Sequence, residues 1–371
     1  MMRTQAATSF FLCVFLACSA PSQNTVAARR SAPTGKLIAA RNMTAARGGH
    51  TATILPDFTV LIAGGKQERG TVLASAEIYD PTKETFSPAA KMTMAREGHA
   101  AASLPDGKVL IAGGATRGGI PLATCEDYDY ETGKFTPRGN LHAPRVHAVA
   151  TVLRDGRVLI TGGENGNQPL ASAELYNVLT GKWTRAASMS AARVNHTATL
   201  LSDGRVLVAG GTGMNHTALA SAELFDPKTN RFIPGASLHQ ARSSHTAALL
   251  SNGDVLIAGG ADGTGHTPIA SAEVYKTNTG SFSLTANLIE ARFQLPDSTS
   301  LLDGRVLIVG GAASAEIYDP KLGSFRTVEG SLDTARYHSA ALQLMDGSTR
   351  IFGGFDSKGV STAKTWIYRL K

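Results

Sequence analysis

Apolar residues in this chain gather into short β-favouring runs, and no window of helix length shows a sustained apolar repeat of 3.6 residues. Residues 196–211, HTATLLSDGRVLVAGG, contain two such runs separated by Ser202-Asp203-Gly204, whose aspartate and glycine suit a tight reversal. A third run ends at Phe225, the turn Asp226-Pro227-Lys228-Thr229-Asn230 follows, and a fourth run starts around Phe232. The pattern predicts a unit of four strands, a to d.

The unit recurs along the chain. Double glycines fall at 64-65, 113-114, 162-163, 210-211, 259-260, 310-311 and 353-354, seven copies spaced by 49, 49, 48, 49, 51 and 43 residues. An arginine precedes each pair (Arg47, Arg96, Arg145, Arg193, Arg242, Arg292, Arg336) and an aromatic follows it (Tyr79, Tyr128, Tyr176, Phe225, Tyr275, Tyr318, Tyr368). Units of this length bury their apolar surface against their neighbours, and four strands with a glycine pair per unit predict propeller blades. The seventh unit reaches strand c at Thr365-Trp366-Ile367-Tyr368 and has no strand d after it. Thr34-Gly35-Lys36-Leu37, followed by Met43 and Arg47, matches Thr180-Gly181-Lys182-Trp183, followed by Met189 and Arg193. The expected fold is therefore all-β, a seven-bladed β-propeller over residues 34–371 closed by an N-terminal strand, with Leu37 standing where other blades carry Phe86, Phe135, Trp183, Phe232, Phe282 and Phe325.

These features resemble the kelch-repeat β-propeller family, in particular its regular bacterial members with the phrase Arg-x-x-His-Thr-Ala-x-Leu-Leu, across residues 31–371. The resemblance implies four-stranded kelch-like blades and leaves the activity open, because such propellers include protein adaptors, adhesive modules, sugar-processing enzymes and copper oxidases. The copper oxidases join a cysteine to a tyrosine beside a copper held by histidine and tyrosine. Only Cys125 could serve here, and its strand c position, held elsewhere by Ala76 and Ala222, argues for a small core residue instead.

Residues 1–18 stand outside the repeat. Arg3 precedes the apolar run Phe10–Cys18, which is short of the roughly 20 residues a membrane span takes and reads as a signal peptide. Phe15-Leu16-Ala17-Cys18 resembles a lipoprotein processing box, which makes Cys18 the candidate lipidation site and lipid anchor, with residues 19–33 as a tether. The expected location is the bacterial cell envelope, or secretion. Two of the three cysteines lie in this leader, so the propeller holds together without an internal disulfide. A net charge of +7 is modest for 371 residues, and no basic cluster interleaved with aromatics favours nucleic acid. The glycine pairs lack the helix, lysine and hydroxyl of a phosphate loop, and no cofactor or metal is implied. A monomer is expected.

Six of the ten histidines belong to the repeated phrase: His50, His99, His147, His196, His245 and His338. A group repeated around a ring reads as structural, bridging backbone at the start of the inner strand. His147 and His338 follow their arginines by two residues rather than three, so their side chains should point differently. Strand c carries Glu77, Glu126, Glu174, Glu223, Glu273 and Glu316, the expected partners of the arginines; blade seven has Trp366 there, which would leave Arg336 least neutralised. Blade six departs most: Glu316 follows Gly311 by five positions, and Arg292-Phe293-Gln294-Leu295-Pro296 has no histidine. Binding is accordingly expected on the loop rim of blades five to seven, with His266 and Arg336 as candidate residues and no catalytic residue assigned. The reading this favours is a non-enzymatic module binding a protein or glycan through that rim; the alternative is a sugar-processing enzyme with a site near the propeller axis. For the leader, Cys18→Ser should abolish labelling by palmitate in a bacterial host, and an unsubstituted chain that takes up no label would contradict the anchor.

Overall fold

Strand b is the most uniformly apolar part of each unit, and Val60–Ala63, Val109–Ala112, Val158–Thr161, Val206–Ala209 and Val255–Ala258 are buried at every residue. A strand covered on both faces reads as a continuous apolar run, and the covers here are the adjacent blades. Leu110, Ala112 and Cys125 of one blade pack with Val158, Ile160 and Tyr176 of the next. The computed structural model describes residues 33–263, 267–295 and 299–370. Within it, Thr34–Lys371 is one compact unit.

The described residues form seven four-stranded antiparallel sheets that follow the repeat. Blade one runs Thr51–Ile54, Val60–Ala63, Ala76–Asp80 and Thr85–Pro88 in spatial order a-b-c-d. Blade seven takes Ala340–Gln343, Thr349–Phe352 and Thr365–Arg369 from the end of the chain and Lys36–Ala40 from its beginning. In that closing pair Leu37 lies opposite Tyr368, as Phe86 lies opposite Tyr79 in blade one. Leu37 is 2% exposed, so the closing strand contributes core as well as hydrogen bonds. In the other blades the same place holds a tilted aromatic pair, such as Tyr79–Phe86 at 4.8 Å or Tyr176–Trp183 at 5.1 Å between ring centroids.

Each repeat arginine of blades one to six is fully buried and ties three segments together. Arg47 donates to Glu77 Oε1 at 2.7 Å and to the carbonyls of Gly64 and Ser75 at 2.7 and 3.2 Å. Glu77 Oε2 in turn accepts from the Thr44 backbone N–H at 2.6 Å, which pins the incoming connection from blade seven. Arg96–Glu126, Arg145–Glu174, Arg193–Glu223, Arg242–Glu273 and Arg292–Glu316 repeat the pair at 2.7–3.0 Å. Arg336 is an exception of a different kind from the one expected. Its guanidinium bonds both oxygens of Asp333 at 3.0 and 2.7 Å and lies 5.8 Å from the Trp366 ring, so it is neutralised from three residues upstream rather than from strand c.

The seam between blades seven and one carries one further departure. Arg350 occupies the strand b position held by Leu61 in blade one, is fully buried, and lies over the Tyr79 ring at 4.5 Å. Burial lowers its pKa. Nε and Nη1 have no partner among the described residues, and Nη2 donates to the Arg41 carbonyl at 3.2 Å.

Two stability measurements follow. Leu37→Ala should cost about 2–5 kcal/mol in a denaturant titration, and removal of residues 34–41 should abolish the cooperative transition by leaving Thr365–Arg369 as an open edge. Arg350→Leu should leave Tm unchanged or raise it, because an apolar group replaces a buried charge that lacks a carboxylate.

Candidate functional site

Two residues after each repeat arginine the chain turns from the blade connection into strand a, and it does so through a left-handed residue. These are Gly49, Gly98, His147, Asn195, Ser244, Gln294 and His338, with φ from 50° to 65°. That region favours glycine and asparagine, so each other side chain there is held against a local preference. The residues form a collar about the axis. Six neighbouring pairs in it are linked by backbone hydrogen bonds, from Gly49 N–H to His338 O at 2.9 Å through His147 N–H to Gly98 O at 2.8 Å and His338 N–H to Gln294 O at 3.3 Å.

Behind the collar is an axial cavity of ≈ 380 Å³. Its lining carries imidazoles, hydroxyls, amides and small apolar groups, and among the described residues no carboxylate, ammonium or guanidinium. The buried histidines of the repeat stand in it like wedges between blades. A Cβ on Gly64 would meet His99 Cε1 at 2.9 Å, and one on Gly65 would meet His50 Cβ at 2.8 Å, so the glycine pair is the seat on which two neighbouring histidines rest. These rings do not bridge backbone, as the sequence suggested. Nε2 of His99 shares a hydrogen bond with the Thr51 hydroxyl of the preceding blade at 2.9 Å, and His245 does the same with Thr197 at 2.9 Å. In blade three Val149 stands where Thr51 would be, and Thr161 supplies the hydroxyl to His196 at 2.9 Å instead. Burial, with Arg96 and Arg242 respectively adding to it, pushes His99 and His245 down to about 3.

At the mouth the collar is uneven. Blades one and two contribute only Gly49 and Gly98, and across that gap the rings of His147 and His338 face each other, 6.2 Å between centroids and 22° from parallel. A Cβ on Gly98 would lie 2.8 Å from Cδ2 and Nε2 of His147, so the glycine is required for that ring to lie where it does. Glu164 Oε1 is 3.4 Å from His147 Nδ1. Burial, then His147 and Lys66, lowers His338 to about 4, which keeps it neutral near pH 7. Lys66 is itself paired with Glu97 at 3.2 Å. Half-buried aromatics extend the strip beyond His338: Phe355 lies edge-on to it at 6.4 Å, and Phe293 and Tyr337 pair at 5.6 Å.

Of the residues singled out in the sequence, His266 and Cys18 lie outside the described residues. Arg336 is 6% exposed, is held by Asp333, and does not line the axial cavity. Cys125 is a buried thiol in the apolar cluster between blades two and three, its pKa pushed up to about 11 by burial. The pairing of His147 with His338 was not legible, although their shared one-residue displacement after the arginine was its signal. The aromatics Phe293, Tyr337 and Phe355 follow either the arginine or the glycine pair directly, in places where other blades carry smaller or polar residues.

The KLHDC2/KLHL20/DRC7 Kelch-repeats domain matches residues 49–260. Comparison with curated proteins finds no match. Among solved structures, one described as a novel fungal alcohol oxidase with catalytic diversity among the AA5 family, in complex with copper, aligns with a TM-score of 0.76 at 17% identity, covering 91% of this chain and 76% of that one. The likeness is one of fold. It corrects the expectation that this chain is more a binding module than an enzyme, since the same architecture carries an oxidase. A copper centre of the kind the resemblance implies does not fit the residues here: Cys125 is away from the cavity lining, and among the described residues no three His, Cys, Asp or Glu side chains gather into a metal set.

The neutral histidines make acid stability a test of the site's construction. Folded His99 and His245 stay unprotonated until about pH 3, whereas the unfolded chain takes up those protons near pH 6.5. Stability is therefore full above about pH 6.5 and falls as the pH drops toward 3. Tm should decline between about pH 6.5 and 5, above the range where carboxylates titrate, and His99→Gln with His245→Gln should flatten that decline.

Proposed function

The chain belongs to the kelch-repeat family, and from that premise we propose that it is a sugar-processing propeller which takes a neutral polyhydroxylated substrate at the axial mouth and moves a proton on it with His147 and His338. The observation that carries the proposal is the facing pair of imidazoles at the entrance of an uncharged polar cavity. Hydroxyl-rich ligands suit a lining of imidazole, hydroxyl and amide groups, which can donate and accept without demanding a counter-charge. The faces of Phe293, Tyr337 and Phe355 offer apolar contact to the C–H side of a sugar ring.

Glu164 Oε1, 3.4 Å from His147 Nδ1, orients that imidazole ring toward the mouth. His338, neutral near pH 7, can accept a hydrogen bond from a substrate hydroxyl. Two carboxylates flanking one substrate, as glycoside hydrolysis uses, are not supplied by the described lining. The reaction class supported best is isomerisation or epimerisation, in which the proton removed at one carbon is returned to the same substrate and no co-reactant is consumed. Placement of the domain at the cell envelope, anchored through Cys18, is part of the same proposal, since it would meet extracellular sugars there.

The test is incubation of the protein with a panel of aldoses in deuterated water, read by NMR for deuterium entering a carbon-bound position. His147→Ala or His338→Ala should lower the exchange rate by about 10²-fold or more with the melting transition kept. A panel in which no sugar binds or exchanges contradicts the proposal.

A further inference from the structure

We infer that His50 and Ser339, side by side in the repeat's ring position on blades one and seven, form a hydrogen-bonding subsite inside the axial cavity for adjacent hydroxyl groups of a neutral ligand. The inference rests on the sugar reading above and adds a place where the substrate is held, away from the imidazole pair at the mouth.

The wedge histidines of blades two, four and five each have a hydroxyl partner from the preceding blade. His50 has none. The blade before it is blade seven, where Ala340 stands in the place of Thr51 and Phe352 in the place of Thr161. Both ring nitrogens of His50 are without a partner among the described residues, although the side chain is only 6% exposed and lines the cavity. Ser339 takes the histidine's place in blade seven, is also 6% exposed, lines the same cavity, and its hydroxyl is likewise unpartnered. Leaving such buried groups without a partner is costly, so the seam between blades seven and one is built to be satisfied from inside the cavity.

Its chemistry selects the ligand. A neutral imidazole offers one donor and one acceptor, and a serine hydroxyl offers one donor and two acceptor sites, which complements a vicinal diol or a hydroxymethyl group. His50 is held neutral by burial, then by Arg47 and His99. Arg47 is held by Glu77 and by backbone carbonyls, and among the described residues no cation lines the cavity to receive a carboxylate or phosphate. Gly49 adds no side chain above His50, and the gap between His147 and His338 opens at this same sector of the collar.

The experiment follows the His50 ring by side-chain 15N–1H correlation in the full-length protein, assigned with His50→Asn, as D-glucose, D-galactose, myo-inositol or D-glucuronate is added. The neutral probes should shift the His50 nitrogens, and glucuronate should bind no more tightly than glucose. Ala340→Thr restores the missing hydroxyl to His50; it should raise Tm, remove the shift and weaken calorimetrically measured binding at least tenfold. Binding with the His50 signals unmoved, unchanged affinity in Ala340→Thr, or no response of His50 to any neutral probe overturns the subsite. A shift at His50 without deuterium exchange keeps the subsite and removes the catalytic reading; exchange with His50 unmoved does the reverse. Signals that report only exchanging water in the presence of every probe also overturn it.

Discussion

The buried arginine–glutamate cross is the constraint on which the rest of this propeller depends. Sheets that pack face to face have little to fix their angle or to stop them sliding, and the apolar strands b and c supply attraction without direction. Arg47 and its equivalents add direction: one guanidinium holds the end of strand b, strand c and, through the glutamate, the connection from the previous blade. A guanidinium and a carboxylate that are both withdrawn from water are costly to separate, with truncation of one partner worth about 3–5 kcal/mol. The cross therefore sets where each connection enters the axis, and with it where the collar residue two positions later must turn.

Once the entry points are set, the difference between blades becomes chemistry. Every collar position has the same backbone, so the residue placed there decides only what projects into the mouth. Glycine in blades one and two opens the collar, and histidine in blades three and seven closes on the gap from either side. The next position inward follows the same logic. A histidine there is matched by a hydroxyl from the preceding blade, directly from Thr51 or Thr197 or by the substitute Thr161, except at the closing seam where His50 is left for the cavity. Regular repetition builds the frame, and departures from it gather at the axis and at the seam between blades seven and one.

The frame was legible in the sequence because its determinants repeat in register. Leu37 could be matched to Phe86 by spacing alone, and the arginine and glutamate rings announced each other. The site was less legible because it joins residues that no spacing relates. His147 and His338 lie in blades three and seven and meet only because two glycines leave room between them. The partner of Arg336 was missed because Asp333 reaches it locally instead of from strand c. The bonds of His99, His196 and His245 cross between blades instead of bridging backbone, and that depends on how neighbouring sheets are stacked. The reading against an enzyme rested on repetition, which argued that histidines were scaffold, although His147 and His338 stand one residue out of that register.

The uncharged axial cavity, entered between His147 and His338, is the place proposed for this propeller's substrate. A crystal structure of the protein soaked with a neutral sugar that binds in solution tests it most directly. The sugar should lie at the axial mouth, in contact with at least one of the two imidazoles. A sugar bound on the outer loops or between blade edges, with the axial cavity holding only water, would contradict it.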